Sequence, residues 1–251
     1  MTRADPTAGL SHQERTRLFA EAVRRLEREP GKPFACPYLE GRQARHLSLL
    51  FPRLLPGSYH SLMDLNFRRM GPIVYRPQCE GCCECHNLRI PAVGFRPSRS
   101  MRRAASRNRD LTVEISAPRA TAEKHDLYRR YLTGRHDGTM DGSELEFELL
   151  YTTGIETLEI QYRSGERLLG VGLADLEPSA MSAVYCYFDP EKARRSLGVF
   201  NILWMIEECR RRGIPHLYLG YWVPGCRAMR YKADFRPCEV LDPDGAWVPL
   251  P

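Results

Sequence analysis

Four cysteines lie within seven residues of this chain, at Cys79, Cys82, Cys83 and Cys85. The spacings Cys79-x2-Cys82 and Cys82-x2-Cys85 allow thiolates to chelate one metal centre. One segment this short rarely supplies all four corners of a tetrahedral site, so Cys36 is the natural remote ligand. Cys36, Cys79, Cys82 and Cys85 are therefore predicted to hold zinc or an iron–sulfur cluster, and the spacing does not choose between these two. The alternative is a set of unligated thiols, and Cys83 is a spare or alternative ligand.

Arginines surround this cysteine cluster. Residues 1–110 carry 20 Arg and Lys against 10 Asp and Glu, whereas residues 111–251 carry 17 against 21. Residues 96–109 alone hold six arginines. Because guanidinium groups bind phosphate in a bidentate manner, the amino-terminal half is predicted to contact a polyanion. The alternative for residues 96–109 is an ordinary solvated surface.

The composition is that of an ordinary globular protein. The chain has 251 residues, of which 43% are hydrophobic and 27% are charged. No apolar run approaches the ~20 residues that a membrane span needs. The first residues also lack the apolar stretch of a secretory signal. Nine cysteines, an odd number, fit poorly with a disulfide framework. We therefore expect a cytoplasmic protein without a membrane partner.

The first 110 residues show little regular periodicity. The segment Ser11-His12-Gln13-Glu14 is a capping box that predicts a helix over residues 11–29. Residues 33–110 contain short apolar pieces between prolines and glycines. Such a segment would gain from a metal that ties it together. Residues 1–110 are therefore predicted to be a Cys-rich, basic and irregular amino-terminal domain.

Residues 111–251 have clear periodic patterns. Helices are predicted at 121–133 and 196–212, strands at 157–162, 167–176, 181–188 and 216–222, and a hairpin turn at 242–245. A meander of strands followed by a helix and another strand is an α+β layout, not the alternation of a doubly wound sheet. The second domain is therefore predicted to hold an antiparallel or mixed sheet.

The segment Arg195-Ser196-Leu197-Gly198-Val199-Phe200 joins a predicted strand to a predicted helix. It is a degenerate form of the loop by which acetyltransferase-like folds turn backbone amides toward a pyrophosphate. Phe200 takes the place of the small residue that lets coenzyme A approach. The alternative is a plain helix start with Ser196 as N-cap. No nucleophile elbow, zinc-protease motif or P-loop occurs, so an enzyme of this kind would use a substrate that arrives activated.

Several segments together resemble a known family. They include Phe67-Arg68-Arg69-Met70-Gly71, Tyr75-Arg76-Pro77 and Met229-x-Tyr231-Lys232. The other matching segments are residues 36–45, 79–85, 88–91, 95–100, 135–140, 182–185, 188–190, 195–198, 217–222 and 235–239. In this order they resemble the bacterial leucyl-tRNA–protein transferases that act on amino-terminal Asp or Glu, relatives of the arginyl-tRNA–protein transferases. The helix at residues 11–29, Met70 and Cys83 depart from the family pattern.

The resemblance implies a fold and a reaction. The fold is an acetyltransferase-like carboxyl domain (111–251) behind a Cys-bearing amino domain (1–110). The reaction is transfer of leucine from leucyl-tRNA to proteins that begin with Asp or Glu, which marks them for degradation. The choice of leucine depends on likeness to the subfamily alone, so arginyl transfer is an alternative. Two further alternatives are a coenzyme-A-dependent acetyltransferase and a non-enzymatic zinc module that binds nucleic acid.

The implied reaction suggests roles for particular residues. The oxyanion of the ester would be stabilised by the backbone amides near Ser196 and Gly198 and by the hydroxyls of Tyr185 or Tyr187. Asp189 would orient the incoming amine or take its proton, and the alternative is a turn-forming Asp before proline. The residues predicted to bind tRNA are Arg99, Arg102, Arg103, Arg107 and Arg195. The cations predicted to recognise the acidic first residue are Arg76, Arg89 and Lys232.

Overall fold

A computed structural model describes residues 7, 9–26, 31–135 and 142–250 of the chain. In those residues the helices are α1 (His12–Leu26), α2 (Ser58–Met63), α3 (Arg99–Ser106), α4 (Ala122–Arg135), α5 (Glu144–Tyr151) and α6 (Leu197–Arg212), with 3₁₀ helices at Pro190–Arg195 and Arg227–Asp234. The strands are β1 (Phe34–Ala35), β2 (Gln43–Ala44), β3 (His46–Leu50), β4 (Arg68–Met70), β5 (Ile73–Pro77), β6 (His86–Pro91), β7 (Thr112–Ser116), β8 (Thr157–Ser164), β9 (Arg167–Glu177), β10 (Ala180–Phe188), β11 (His216–Trp222), β12 (Glu239–Leu241) and β13 (Trp247–Pro249). No helix in this part of the chain is both long enough and apolar enough to cross a bilayer.

The centre of the molecule is an eight-stranded mixed sheet. Its strand order is β13-β12-β6-β11-β10-β9-β8-β7. The pair β10–β11 is parallel and the other neighbouring pairs are antiparallel. Helix α6 connects β10 to β11, because a parallel pair needs a long crossover connection. The predicted α+β class with a mixed sheet is confirmed.

The predicted elements after residue 155 are confirmed. The three strands of the meander are β8, β9 and β10, and the next helix and strand are α6 and β11. Helix α6 ends at Gly213, whose φ of 69° suits a residue without Cβ. The final hairpin turns at Asp242, whose carbonyl accepts from the amide of Gly245 at 3.1 Å.

The prediction that residues 33–110 are irregular is wrong. They contain a three-stranded antiparallel sheet of order β3-β5-β4, two helices, and β6, which lies inside the large sheet between β11 and β12. The strands are short and half buried, so they do not show the alternation that reveals longer strands. Residues on both sides of position 110 thus contribute to one sheet, and the division into two domains at that position stays a prediction. Residues 27–29 of the first predicted helix lie outside the described residues.

Helices cover both faces of the large sheet. On one face α6 buries Leu197, Ile202 and Met205 together with Met101 of α3. On the other face α4 and α5 pack beside β9 and β10. The small sheet and α2 pack on that second face further along, against Ala180 and Tyr218. The small sheet therefore faces the place where β10 and β11 meet.

Strands β10 and β11 pair over only three residues each. Ala180–Ser182 pairs with His216–Tyr218, after which both strands continue without pairing with each other. Each strand also has a register shift at this point, between Ala183 and Tyr185 in β10 and between Tyr218 and Gly220 in β11. A bulge increases local twist and bends the strand, so the two strands diverge. Their divergence opens the middle of the sheet.

Candidate active site

Arg68 fills the space where β10 and β11 diverge. Its guanidinium donates to the hydroxyl of Ser182 at 2.8 Å and to the carbonyl of Ala183 at 2.6 Å. The side chain reaches this point from β4, and the residue is 7% exposed. A buried arginine at an interrupted sheet can satisfy the backbone carbonyls that a neighbouring strand would otherwise pair. Arg68 belongs to a segment that carried the family resemblance, but its sequence context predicted no role for it.

Gly220 makes room for Arg68. A Cβ at this position would lie 2.9 Å from Nε of Arg68, and the φ of Gly220 is +75°. Both observations require glycine there, because other residues strain at positive φ and would press on the guanidinium. The bulge at Gly220 also places Tyr218 and Tyr221 on the face toward the small sheet. The bulge thus puts Tyr218 and Tyr221 on the same face, although they are three positions apart in a strand.

Lys232 is a second buried cation near Arg68. It comes from the 3₁₀ helix Arg227–Asp234 and donates to the carbonyl of Tyr221 at 2.6 Å. Burial and, after it, the charge of Arg68 lower the pKa of Lys232 to about 7. Lys232 was predicted to bind an acidic group.

Tyrosines line the same region. Burial raises the pKa of Tyr75 and of Tyr221, whereas the charge of Arg68 opposes that shift. Their ring centroids are 6.2 Å apart. The hydroxyl of Tyr221 donates to the carbonyl of Asn66 at 2.9 Å. Burial also raises the pKa of Tyr38, and Arg68 again opposes it. These hydroxyls stay protonated at neutral pH and can donate hydrogen bonds.

The four cysteines predicted as ligands gather around Cys85. Burial, and after it the neighbouring Cys79, Cys36 and Cys82, raise the pKa of the Cys85 thiol to about 12. Cys83 is exposed. The donor set suits zinc or an iron–sulfur cluster, and binding either would draw the thiols closer together.

The arginine segment packs beside the start of α6. Helix α3 is capped by Ser98, whose hydroxyl accepts from the amide of Met101, and the helix packs against α6. Arg107 donates to the carbonyl of Arg194 at 2.8 Å, and Arg195 donates to the carbonyl of Arg107 at 2.8 Å. The predicted tRNA-binding arginines on this surface are exposed, namely Arg99, Arg102, Arg103 and Arg107. Arg195 is less exposed and also binds Asp110 through two hydrogen bonds of 2.8 Å.

Ser196 and Gly198 lie at the amino end of α6. Ser196 has a left-handed conformation with φ 56°, and its side chain makes no capping hydrogen bond. Ser196 is thus the N-cap residue, as the alternative of a plain helix start has it, but its hydroxyl does not cap the helix. The first amides of any helix lack intrahelical acceptors and point outward. A Cβ at Gly198 would lie 3.5 Å from the ring of Phe188, so these amides lie beside the end of β10.

Tyr185, Tyr187 and Asp189 differ in their surroundings. Tyr187 is fully buried and its hydroxyl is hydrogen-bonded to that of Tyr151. Tyr185 is half buried, and burial raises its pKa. The buried carboxylate of Asp189 accepts from Arg167 at 2.6 Å and from the amide of Glu191 at 3.0 Å. Asp189 thus fits the predicted turn role, since its charge is already neutralised.

The other two cations predicted to bind an acidic group have protein partners. Arg89 binds Glu239 at 2.7 Å and lies 4.1 Å over the ring of Trp247. Arg76 donates to the carbonyl of Leu65 at 3.2 Å, and burial lowers its pKa. The guanidinium groups of Arg76 and Arg89 thus already have partners within the protein.

A histidine–aspartate cluster was not predicted from the sequence. His12 and Asp64 are hydrogen-bonded at 2.8 Å, and the Tyr218 hydroxyl donates to Asp64 at 2.7 Å and lies 3.1 Å from His60. The rings of His12 and His60 stack at 4.0 Å with an interplanar angle of 23°. Lone pairs of ring nitrogens lie in the ring planes, so nearly parallel stacked rings do not aim them at one ion. We therefore interpret the cluster as a hydrogen-bonded contact that ties α1 to α2 and to Asp64 just after it.

Comparison with known proteins places the chain in a family. The family described as "Arginine-tRNA-protein transferase, N terminus" matches residues 34–103, and its "C terminus" counterpart matches residues 123–242. The "Aspartate/glutamate leucyltransferase" of Alkalilimnicola ehrlichii is 42% identical over 91% of this chain and 97% of its own. The enzyme of the same name from Pseudomonas putida is 40% identical over 90% of this chain and 97% of its own. Among solved structures, FemX covers 84% of this chain and 69% of its own with a TM-score of 0.46 and 11% identity. The segment at 135–140 lies largely outside the described residues, but the similarity over the whole length is clear: the chain belongs to the aspartate/glutamate leucyltransferase family.

Proposed function

We propose that this protein transfers leucine from leucyl-tRNA to proteins whose first residue is Asp or Glu. The observation that carries the proposal is the 42% identity to an aspartate/glutamate leucyltransferase over 91% of this chain and 97% of that relative. The order β8, β9, β10, α6 and then a parallel β11 supports an acetyltransferase-like arrangement of residues 111–251. The protein is thus an aminoacyltransferase that acts on aminoacyl-tRNA and on a protein.

The reaction forms an amide from an ester. The neutral α-amine of the acceptor attacks the carbonyl carbon of the aminoacyl ester, a C–N bond forms, and the C–O bond to the tRNA ribose breaks. The amine loses a proton and the departing ribose oxygen gains one. An α-amine with a pKa of about 7.7–8.0 loses its proton at a cost of about 1 kcal/mol at pH 7. Positioning and stabilisation of the oxyanion are therefore the main tasks of the enzyme.

The divergence of β10 and β11 suits this chemistry. Arg68 lies where the two strands begin to diverge. The first amides of α6 lie beside Phe188, at the end of β10. Helix N-termini and fixed hydrogen-bond donors stabilise an oxyanion without reorganising. The amides near Ser196 and Gly198, together with the half-buried hydroxyl of Tyr185, are the proposed oxyanion donors. The fully buried Tyr187 supports this site through packing.

The arginines of α3 are proposed to bind the tRNA. Arg99, Arg102 and Arg103 are exposed, and they lie on a helix that packs against α6. Phosphates bound there would approach the start of α6 from outside. Arg107 and Arg195 hold this surface together through their hydrogen bonds to each other's segment. In this proposal they position the surface and add to its positive charge.

The cysteines around Cys85 are proposed to hold a zinc ion or an iron–sulfur cluster. Cys36 lies in one segment, whereas the other ligands, Cys79, Cys82 and Cys85, lie in a second segment. The two segments are in contact, because the thiol of Cys79 donates to the carbonyl of Arg45, 34 residues earlier in the chain. A bound centre would tie them together. When bound, the metal centre would crosslink the two segments through their cysteine thiolates. Arg42, which follows the Cys36 segment, donates to the sulfur of Cys82 at 3.5 Å and so already links the two segments.

The test is transfer of labelled leucine from leucyl-tRNA to three peptides that differ only in the first residue, Asp, Glu or Ala. We expect transfer to the first two and not to the third. Parallel reactions replace leucyl-tRNA by arginyl-tRNA or by acetyl-coenzyme A. Transfer of arginine instead of leucine would establish the arginyl alternative, and acetylation would establish the coenzyme A alternative. If no donor reacts with protein that contains its metal centre, the proposed function is wrong.

A further inference from the structure

Arg68 and Arg69 are adjacent, yet their electrostatic environments differ. Both are buried, with exposures of 7% and 6%. Arg69 makes a bidentate ion pair with the buried Asp175 and also donates to Thr157. Arg68 has no carboxylate within 4.0 Å in the described segments, and its partners are the hydroxyl of Ser182 and the carbonyl of Ala183. Arg68 is therefore a buried positive charge that lacks a counter-ion.

A buried charge without a counter-ion is unfavourable. Neutral acceptors such as a hydroxyl and a carbonyl satisfy hydrogen bonds but do not cancel the charge. Proteins keep such groups mainly where function uses them, and the strain is offset elsewhere in the fold. An anion that enters would find its counter-charge already in position.

Lys232 adds a second cation to the same place. Its ammonium donates to the carbonyl of Tyr221, and it likewise has no carboxylate within 4.0 Å among the described residues. The groups that act on its pKa are Arg68, which lowers it after burial does, and Cys226, which raises it. These two basic groups have no acid between them, so an anion that comes from outside would be their counter-ion and would favour the protonated form of Lys232.

We infer that Arg68 and Lys232 form the subsite that binds the side-chain carboxylate of the acceptor's first residue. This inference rests on the proposed function and identifies the residues that select Asp or Glu. The α-amine and the side-chain carboxylate of one residue lie only a few bonds apart. The acid subsite must therefore border the place where the ester reacts, and the divergence of β10 and β11 meets that condition. Arg89, in contrast, already binds Glu239 at 2.7 Å.

The surroundings favour a carboxylate over a tRNA phosphate. The exposed arginines of α3 offer an open surface to a phosphate backbone. Arg68 and Lys232, with 7% and 8% exposure, lie deep between strands and a 3₁₀ helix. A guanidinium can bind one carboxylate through two parallel hydrogen bonds.

The experiment compares two peptides that differ only in the first residue, Asp or Asn. In the wild type, kcat/KM is expected to be far higher for Asp. Arg68→Gln should lower kcat/KM for the Asp peptide at least about 30-fold, the low end for removing one partner of a buried charge pair. The rate with the Asn peptide should change little, so the Asp/Asn ratio falls toward one. Lys232→Met should lower the same ratio.

Arg69→Gln is the matched control. It removes an adjacent buried guanidinium that has its own counter-ion, so it should lower thermal stability while the Asp/Asn ratio of the folded enzyme stays high. An unchanged Asp/Asn ratio in Arg68→Gln would overturn the inference, and so would a loss confined to leucyl-tRNA affinity. Should Arg68→Gln not fold, Arg68→Lys replaces it, with a smaller drop in the ratio expected because lysine lacks the bidentate fork.

A binding experiment separates this inference from the proposed function. Titration calorimetry of the full-length protein with each peptide needs no tRNA and no transfer. We expect the wild type to bind the Asp peptide more tightly than the Asn peptide, and Arg68→Gln to lose that preference. If leucine transfer fails but the preference depends on Arg68, the subsite stands and the reaction is wrong. If transfer succeeds and the preference does not depend on Arg68, the subsite is wrong.

Discussion

Arg69 donates to Asp175 through two hydrogen bonds, from Nε at 2.6 Å and from Nη2 at 2.5 Å. The pair joins β4 of the small sheet to β9 of the large sheet, and both side chains are shielded from water. The hydroxyl of Thr157 also donates to Asp175 at 2.7 Å. A carboxylate with this many donors is stable only while its cation is present. The interface between the two sheets therefore depends on this pair.

Asp175→Asn should lower the free energy of unfolding by about 3–5 kcal/mol, because it leaves Arg69 buried without a counter-ion. Urea unfolding at neutral pH measures the change. The control is Asp126→Asn, which removes an exposed partner of Arg130 on α4 and should cost about 0.5 kcal/mol or less. Equal losses in both variants would contradict a structural role for the Arg69–Asp175 pair.

Gly220→Ala should reduce transfer by about 10- to 100-fold, because the new Cβ would displace the guanidinium of Arg68. The positive φ adds strain of about 1–2 kcal/mol. Gly245→Ala provides the control, since Gly245 has a φ of +85° but no atom within 4 Å of the added Cβ. It should lose similar stability and keep its activity. Steady-state kinetics and thermal melts of both variants test this, and parallel losses of activity would contradict it.

Lys232 should make stability rise with pH between about 7 and 9. Its pKa is lowered from 10.5 to about 7 in the folded protein, so the unfolded state binds more protons in this range. Stability then increases by up to about 1.4 kcal/mol per pH unit from this one group. Urea midpoints at pH 7, 8 and 9 measure the slope. Lys232→Met should remove this contribution, and a slope identical to the wild type would show that Lys232 is not the cause.

Serine substitutions should separate the ligand cysteines from Cys83. Protein purified without oxygen should contain about one zinc ion or one iron–sulfur cluster per chain. Replacing Cys79, Cys82 or Cys85 by serine should remove most of it. Cys83→Ser should retain it, because Cys83 is exposed and is not one of the four predicted ligands. Metal analysis with an absorption spectrum is the measurement, and metal-free wild type would refute the site.

Leucyl-tRNA binding should depend on salt. If roughly four phosphates are engaged, the plot of log affinity against log salt should have a slope of about −3 to −4. The double variant Arg102→Gln, Arg103→Gln should reduce the slope by about 1.5–2. Arg24→Gln on α1 is the control, since it removes an exposed arginine of a different helix. A flat salt response in the wild type would contradict the polyanion surface.

Local patterns were sufficient where a segment is long and one face is buried. The strands β8, β9 and β10 and the helix α6 followed from their periodicity, because residues 157–212 meet one continuous core. Chelate spacing grouped Cys79, Cys82 and Cys85, with Cys36 added as the remote ligand, and this metal site stays a prediction. The short strands of residues 33–110 did not follow, since β4 has only three residues and pairs within a small sheet.

The amino-acid sequence alone determined the family, the class of reaction and most elements of the large sheet, because these depend on residue order and local burial. Only the tertiary structure distinguished Arg68 from Arg69. The two are identical in type and adjacent, but successive side chains of a strand point to opposite faces. Arg69 lies on the face that contacts Asp175, which is 106 residues away in the chain. Arg68 lies on the face toward the divergence of β10 and β11. Electrostatic energy depends on distance in space, so which arginine has a counter-ion is decided by folding.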